Sequence, residues 1–167
     1  LHYSVRMTVT VRSATVEDAD ALGAVHVQAW RQTYAHLLSP GLLESVSAER
    51  RAERWRSILG GSPDHAQVVA EIDGDIVGFA ASGPGRDVIS PRELQLYSIY
   101  LLADHQGSGA GQAMLDAVIG DEPAYMWVAE DTPRAQAFYV RNGFALDGER
   151  MVDLLEGEPL AQVRMVR

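Results

Sequence analysis

Three glycines alternate at Gly107, Gly109 and Gly111 within "DHQGSGAGQAML", Asp104 to Leu115, directly ahead of a run with helical spacing. A glycine-rich turn that feeds a helix aims successive backbone amides outward at the helix's positive end, a natural place for a phosphate. Ser108 and Gln112 add neutral donors, and Ala110 carries the only side chain between 109 and 111, so close approach is open. The G-x-G-x-G spacing differs from the dinucleotide fingerprint G-x-G-x-x-G, which follows a first strand. Gly111-Gln112-Ala113 also lacks the Gly-Lys-Ser/Thr ending of a P-loop. Two readings remain: a pyrophosphate cradle with no cation of its own, or a plain flexible connection.

Other chemistries are excluded more sharply. Cysteine is absent, which removes disulfides, thiolate metal sites and a cysteine nucleophile. His2, His26, His36, His65 and His105 fall in no metal-binding spacing, so no metal is expected and each reads as a surface or packing residue. No G-x-S-x-G elbow exists to carry an acyl group. The formal charge of −9, with 14 basic residues that are all arginine, argues against nucleic acid as a partner. It would steer a cationic ligand such as a polyamine or aminoglycoside. No apolar run approaches the ~18 residues of a membrane span, and Leu1–Val11 lacks the apolar stretch of a signal peptide. The expectation is a soluble cytoplasmic protein with no membrane partner. Its 167 residues form a single domain spanning 1–167, with 1–8 disordered or extraneous and Met7 as natural start.

The elements that would position the glycine turn follow from pattern and punctuation. Val9–Arg12 alternates as a strand. Thr15 and Asp18 have capping-box spacing, and the acids Glu17, Asp18 and Asp20 read as a solvated first turn of a helix reaching Tyr34. Pro40 opens a short helical piece, and Ser47 caps another that runs to Leu59. "AQVVAEIDGDIVGFAASG" reads as two strands joined at Asp73-Gly74, and "LQLYSIYLL", Leu94 to Leu102, as a buried strand. A helix over about Gly109–Ile119, the strand "YMWV", a helix stopped by Asn142-Gly143 and a strand pair turning at Gly157-Glu158-Pro159 complete the chain. This order predicts an α+β (mixed α/β) fold: a mostly antiparallel sheet of six or seven strands flanked by helices, with one strand–helix–strand crossover.

"QGSGAG", Gln106 to Gly111, resembles the Q/R-x-x-G-x-G/A motif of the GNAT superfamily of acetyl-CoA-dependent N-acetyltransferases. "YSIYLLADHQ" is similar to that family's central strand, and "EDTPRAQAFYVRNGF", Glu130 to Phe144, to its second motif. "AWRQTYAHLLSPGLL" is similar to the acceptor-side helices of one bacterial branch. The resemblance implies that acetyl-CoA is the cosubstrate. Ile99, Tyr100 and Leu101 would offer strand backbone groups to the pantetheine arm and an oxyanion-hole donor to the thioester. Gln106, Gly107, Ser108, Gly109, Ala110, Gly111 and Gln112 would hold the pyrophosphate, with Thr132 also on the cofactor. Tyr139 would protonate the departing thiolate, or else simply pack against the sheet.

Three departures bear on the acceptor side. Gln95 stands where the branch usually has glutamate, Thr132 where an asparagine is common, and Trp127 where ribosomal-protein N-terminal acetyltransferases carry a glutamate base. A lysine-type amine needs roughly 4.6 kcal/mol to deprotonate at pH 7, an α-amine only ~1.4 kcal/mol. Loss of the carboxylate at 95 therefore points to a low-pKa amine or to a base acting through water, with Glu93 and Glu130 as candidates. Trp30, Tyr34, Gln95 and Tyr97 are expected to build the pocket for a small-molecule or peptide N-terminal amine; Trp30 and Tyr34 also read as ordinary core. The closing "AQVRMVR" could complete a homodimer interface. The rival class is a non-catalytic acyl-CoA-binding module of the same fold.

Overall fold

The computed structural model describes residues 8–61 and 63–167; the expectation for the first residues lies outside the described part up to position 7. The seven strands are β1 (Val9–Ser13), β2 (Ala66–Ile72), β3 (Asp75–Pro84), β4 (Leu94–Leu101), β5 (Ala124–Ala129), β6 (Ala145–Leu155) and β7 (Glu158–Val166). They form one sheet in the order β1-β2-β3-β4-β5-β7-β6. Every neighbouring pair is antiparallel except β4–β5. That single parallel pair is the crossover expected from the sequence.

Helices α1 (Ala19–Tyr34), α2 (Pro40–Ser45) and α3 (Ala48–Ile58) cover one face, here the front. There Leu22, Val25, Trp55, Val69 and Phe79 pack together. On the back face α4 (Ala110–Val118) and α5 (Pro133–Arg141) bury Met114, Leu115 and Tyr139 against Ala80, Leu96, Met126 and Met165. Full burial of a side chain such as Phe79 or Leu115 stabilises by about 1.5–3 kcal/mol. Gly23 is what lets α3 cross α1 so closely, because a Cβ there would strike the Ala48 carbonyl oxygen.

Local chemistry explains most boundaries. Asp73 and Gly74 both have positive φ, 53° and 83°, the requirement of the tightest hairpin turn. Ser39 and Ser47 cap α2 and α3 by accepting from Leu42 and Arg50 amides. Three expectations need correction. Asp18 is not solvated: it is 8% exposed and takes a bidentate pair of hydrogen bonds from Arg12, which draws its carboxyl down to about 2. The final hairpin turns at Glu156-Gly157, φ 50° and 87°, and Glu158 and Pro159 already belong to β7. And β7, which carries "AQVRMVR", lies between β5 and β6, so the tail offers no free edge; the edge strands are β6 at this end and β1 at the other.

Candidate active site

The site begins where two strands stop pairing. Leu94, Gln95 and Leu96 of β4 face Ala124, Tyr125 and Met126 of β5, and there the parallel ladder ends although both strands continue. A register shift explains the parting. Ala81 and Ser82 on β3 face Ser98 and Leu96, so Tyr97 is the extra residue of a bulge in β4. Beyond it the strands diverge around a cleft of about 820 Å³, lined by both strands and by the start of α4 and one face of α5.

The far half of β4 brings unpaired backbone to this cleft. The Leu102 amide donates to the Val77 carbonyl. By the alternation of an antiparallel ladder, Tyr100 and Ser98 then also turn their backbone toward β3. Ile99 and Leu101 point theirs into the gap. Of the three strand residues expected to present backbone groups, Tyr100 instead contributes its phenol.

The glycine turn closes one end of the cleft. Gly107 and Gly109 have φ of 82° and 89°, left-handed values that favour glycine. The amides of Gly107, Gly109, Gly111 and Gln112 meet no acceptor among the described residues, and nothing stands within 4 Å of a Cβ built at Gly107 or Gly109. Gln106, Gly107, Gly109, Gly111, Gln112 and Thr132 line the cleft. Ser108 and Ala110 do not: the Ser108 hydroxyl caps the Ala110 amide, and Ala110 is fully buried against the sheet. The Gln112 side chain is spent as well, donating to Asp116 and Asn142 and so tying α4 to the end of α5. Thr132 donates to the Ala129 carbonyl at 2.6 Å at the start of α5.

Three phenols meet at the waist. Tyr34 and Tyr100 share a hydrogen bond of 2.7 Å. Tyr139, 7% exposed, lines the cleft, and its hydroxyl has no hydrogen bond to any described residue. Burial raises the pKa of all three, with the neighbouring Tyr34 adding to Tyr139 and the Tyr100 hydrogen bond partly offsetting the rise at Tyr34. Each is a neutral donor at pH 7.

On the acceptor side the structure separates the four expected residues. Tyr34 and Tyr97 line the cleft; Trp30 and Gln95 do not. Trp30 is core, packed against His26 and Tyr34 with the Arg51 guanidinium 4.4 Å over its ring. Gln95 is buried, and its side-chain oxygen accepts from the Arg86 amide and the Tyr125 hydroxyl. Neither candidate base reaches the cleft. Glu93 is exposed ahead of β4, and Glu130 pairs with Arg150, which lowers its pKa.

Several lining residues escaped the sequence reading. Arg134, Phe138 and Arg141 form one stripe of α5, and their i, i+4, i+7 spacing was the signal available. His36 donates to the Asp131 carbonyl at 2.9 Å and so links the α1–α2 connection to the β5–α5 loop across the rim. Nothing in the local sequence announces that contact.

Comparison with known proteins bears on the family and the fold. Residues 27–144 match the profile of the acetyltransferase (GNAT) family. The chain is 31% identical over 164 residues to an uncharacterized N-acetyltransferase, YuaI, of Bacillus subtilis, covering 90% of this chain and 93% of that one. The fold is similar to a GCN5-related N-acetyltransferase from Rhodopseudomonas palustris, with a TM-score of 0.74, 22% identity and 99% coverage of both chains. It is also similar to a phosphinothricin acetyltransferase from Sinorhizobium meliloti in complex with AcCoA, with a TM-score of 0.69, 23% identity, and coverage of 96% of this chain and 88% of that one.

Proposed function

This chain belongs to the acetyltransferase (GNAT) family, and from that premise we propose that it binds acetyl-CoA in the β4–β5 cleft and passes the acetyl group directly to a primary amine. The acceptor is a small molecule or a peptide N-terminus, and both substrates are bound together. The observation that carries the reading is the row of four amides at Gly107, Gly109, Gly111 and Gln112 that meet no acceptor among the described residues, standing at one end of a cleft whose wall, at Ile99 and Leu101, is strand backbone with no partner among them. A pyrophosphate satisfies the first set and an extended amide-bearing arm the second.

In this reading the amine nitrogen attacks the thioester carbonyl, forming a C–N bond as the C–S bond breaks. An Ile99 or Leu101 amide stabilises the oxyanion. Tyr139 donates to the departing sulfur. A buried phenol above pKa 10 is a weaker acid than a thiol near 8.5, so transfer to sulfur alone would be uphill by at least ~2 kcal/mol. Tyr139 therefore works best as a relay, giving its proton to sulfur while regaining one from the nitrogen, with no phenolate formed. Since neither Glu93 nor Glu130 lines the cleft, the amine arrives neutral or loses its first proton to water. That neither expected base, Glu93 nor Glu130, lines the cleft favours the second reading, a module that binds acyl-CoA without turnover; the unspent Tyr139 hydroxyl favours catalysis.

The test has two parts. Acetyl-CoA at a hundredfold excess over Kd stabilises by about 2.7 kcal/mol and raises Tm by several degrees, with ATP and NADH as controls. Thiol release with an amine panel then falls at least tenfold in kcat for Tyr139→Phe, at nearly unchanged acetyl-CoA affinity. Equal activity of that variant removes Tyr139 from the chemistry, and binding without thiol release for any amine selects the second reading.

A further inference from the structure

The loop between β3 and β4 is built more tightly than a connection requires. Gln95 fixes it through the Arg86 amide at 2.8 Å, and Ser90 shares a 2.9 Å hydrogen bond with the Tyr125 hydroxyl. Asp87 takes the Trp127 indole N–H at 3.0 Å and Arg164 at 2.9 Å. Two glycines make the arrangement possible. A Cβ at Gly83 would lie 2.6 Å from the Tyr97 hydroxyl oxygen, and one at Gly85 would run into Ser90 and lie 2.8 Å from the Tyr125 hydroxyl.

The result is a shelf. Tyr97, the bulge residue that lines the cleft, lies over Gly83 with its hydroxyl donating to the Pro84 carbonyl at 2.5 Å. On its ring rests the Arg86 guanidinium, 3.5 Å from the centroid. Its neighbour Asp87 is turned away to Trp127 and Arg164, and Arg164 also reaches Asp147. Arg86 has no carboxylate partner among the described residues, in a chain with 23 acidic residues against 14 arginines. A guanidinium stacked by its face keeps its N–H fork free at the edge, the geometry that grips a carboxylate or phosphate by two parallel hydrogen bonds.

We propose that Arg86, stacked on the ring of Tyr97, which itself lines the cleft, is the recognition group for an acidic substituent, carboxylate or phosphate, on the acceptor amine. The inference rests on the transferase reading above and narrows its substrate class. It runs against the cationic acceptor that the overall charge of −9 would steer. Long-range repulsion is screened beyond about 8 Å at physiological salt, whereas the fork acts in direct contact.

The experiment measures kcat/KM by thiol release from acetyl-CoA with matched pairs of amines. Amino acids are set against their amides, and phosphoethanolamine against ethanolamine, for the unaltered protein, Arg86→Gln and Arg86→Lys. The acid-bearing member of at least one pair is used tenfold or more better. Arg86→Gln lowers that member 10- to 100-fold, mainly through KM, and leaves its neutral partner within twofold; Arg86→Lys retains part of the preference. A preference confined to phosphoethanolamine assigns phosphate, and one confined to the amino acids assigns carboxylate. The proposal is overturned by equal use of both members, by equal loss of both in Arg86→Gln, or by silence of every acid-bearing amine in a protein whose Tm acetyl-CoA still raises. If acetyl-CoA leaves Tm unmoved, the transferase reading fails and this inference goes with it.

Discussion

The two ends of the cleft are made of different material. At the α4 end the groups that the glycine turn itself presents are backbone: four amides in and beside the turn, with side chains either absent, as at Gly107 and Gly109, or occupied elsewhere, as at Ser108 and Gln112. At the front they are side chains gathered from separate elements: Tyr34 from α1, Tyr97 and Tyr100 from β4, Trp127 from β5, Gln162 from β7. A backbone site needs only a local conformation, so its signature is short and contiguous. A side-chain site needs the whole sheet in register before any two of its members meet. The first suits a ligand common to many proteins; the second is where specificity can differ from one protein to the next.

The sharpest way to break this contrast is to put a side chain into the backbone end. Gly111 is the position to use, because its φ is ordinary and the nearest atom to a built Cβ is Phe138 Cζ at 4.0 Å. Gly109, at φ 89°, would confound cofactor loss with backbone strain. Gly111→Val is expected to weaken acetyl-CoA at least a hundredfold, about 2.7 kcal/mol, while Tm without ligand moves by only a few degrees. Isothermal titration reads the first number and a thermal melt the second. Retained affinity would mean that the amides at 111 and 112 do not face the ligand.

The aromatic core behind the front end should instead weaken with acid. His26 sits among Trp30, Trp55, Phe79 and Tyr100 and accepts the Trp55 indole N–H at 3.3 Å. Burial first, then Arg51 and Arg54, push its pKa down to about 3. The folded-state value lies below the unfolded one near 6.5, so the unfolded chain takes up the proton first and stability falls as pH drops through that window. Between pH 7 and 5 the loss is about 2 kcal/mol, and His26→Gln should flatten it. Equilibrium urea unfolding at the two pH values checks both statements. An unchanged slope in the variant would assign the acid sensitivity to another group.

What the sequence made legible follows the same division. The hairpin at Asp73-Gly74, the serine caps and the glycine turn were readable because each is a short-range solution to a backbone problem. The single parallel pair was readable through the one crossover, whereas the place of β7 between β5 and β6 was not. For Trp30 both pocket and core stayed open in the sequence, because a helix face says only which residues share a side; the structure selects core, with Arg51 of α3 lying across the ring. Gln95 was read as a pocket residue, but its partners are the Arg86 amide and the Tyr125 hydroxyl. Tyr97 owes its position to a bulge that alternation alone does not reveal, and Arg86 owes its shelf to Gly83, twelve residues before the strand position it faces. Asp18 was taken for a solvated helix start because the sequence does not display Arg12 of β1 reaching it while Glu71 of β2 holds the same guanidinium.

The finest test of the contrast lies in a single residue. Gln112 is a polar side chain at the mouth of a phosphate-type turn, the kind of group that invites assignment as a donor to the ligand. Its amide is unpaired and faces the cleft, but its side chain is held by Asp116 and by a reciprocal pair of hydrogen bonds with Asn142, at 2.8 and 3.2 Å. If the backbone does the holding, Gln112→Ala leaves the amide in place and changes acetyl-CoA affinity by less than threefold, about 0.6 kcal/mol. The lost α4–α5 contact should then appear as a small drop in Tm. Loss of a side-chain hydrogen bond to a charged phosphate would instead weaken binding by about 1.5–3 kcal/mol. A tenfold or larger loss of affinity would show that the Gln112 side chain leaves Asn142 for the ligand, and the α4 end would then share the side-chain character of the front.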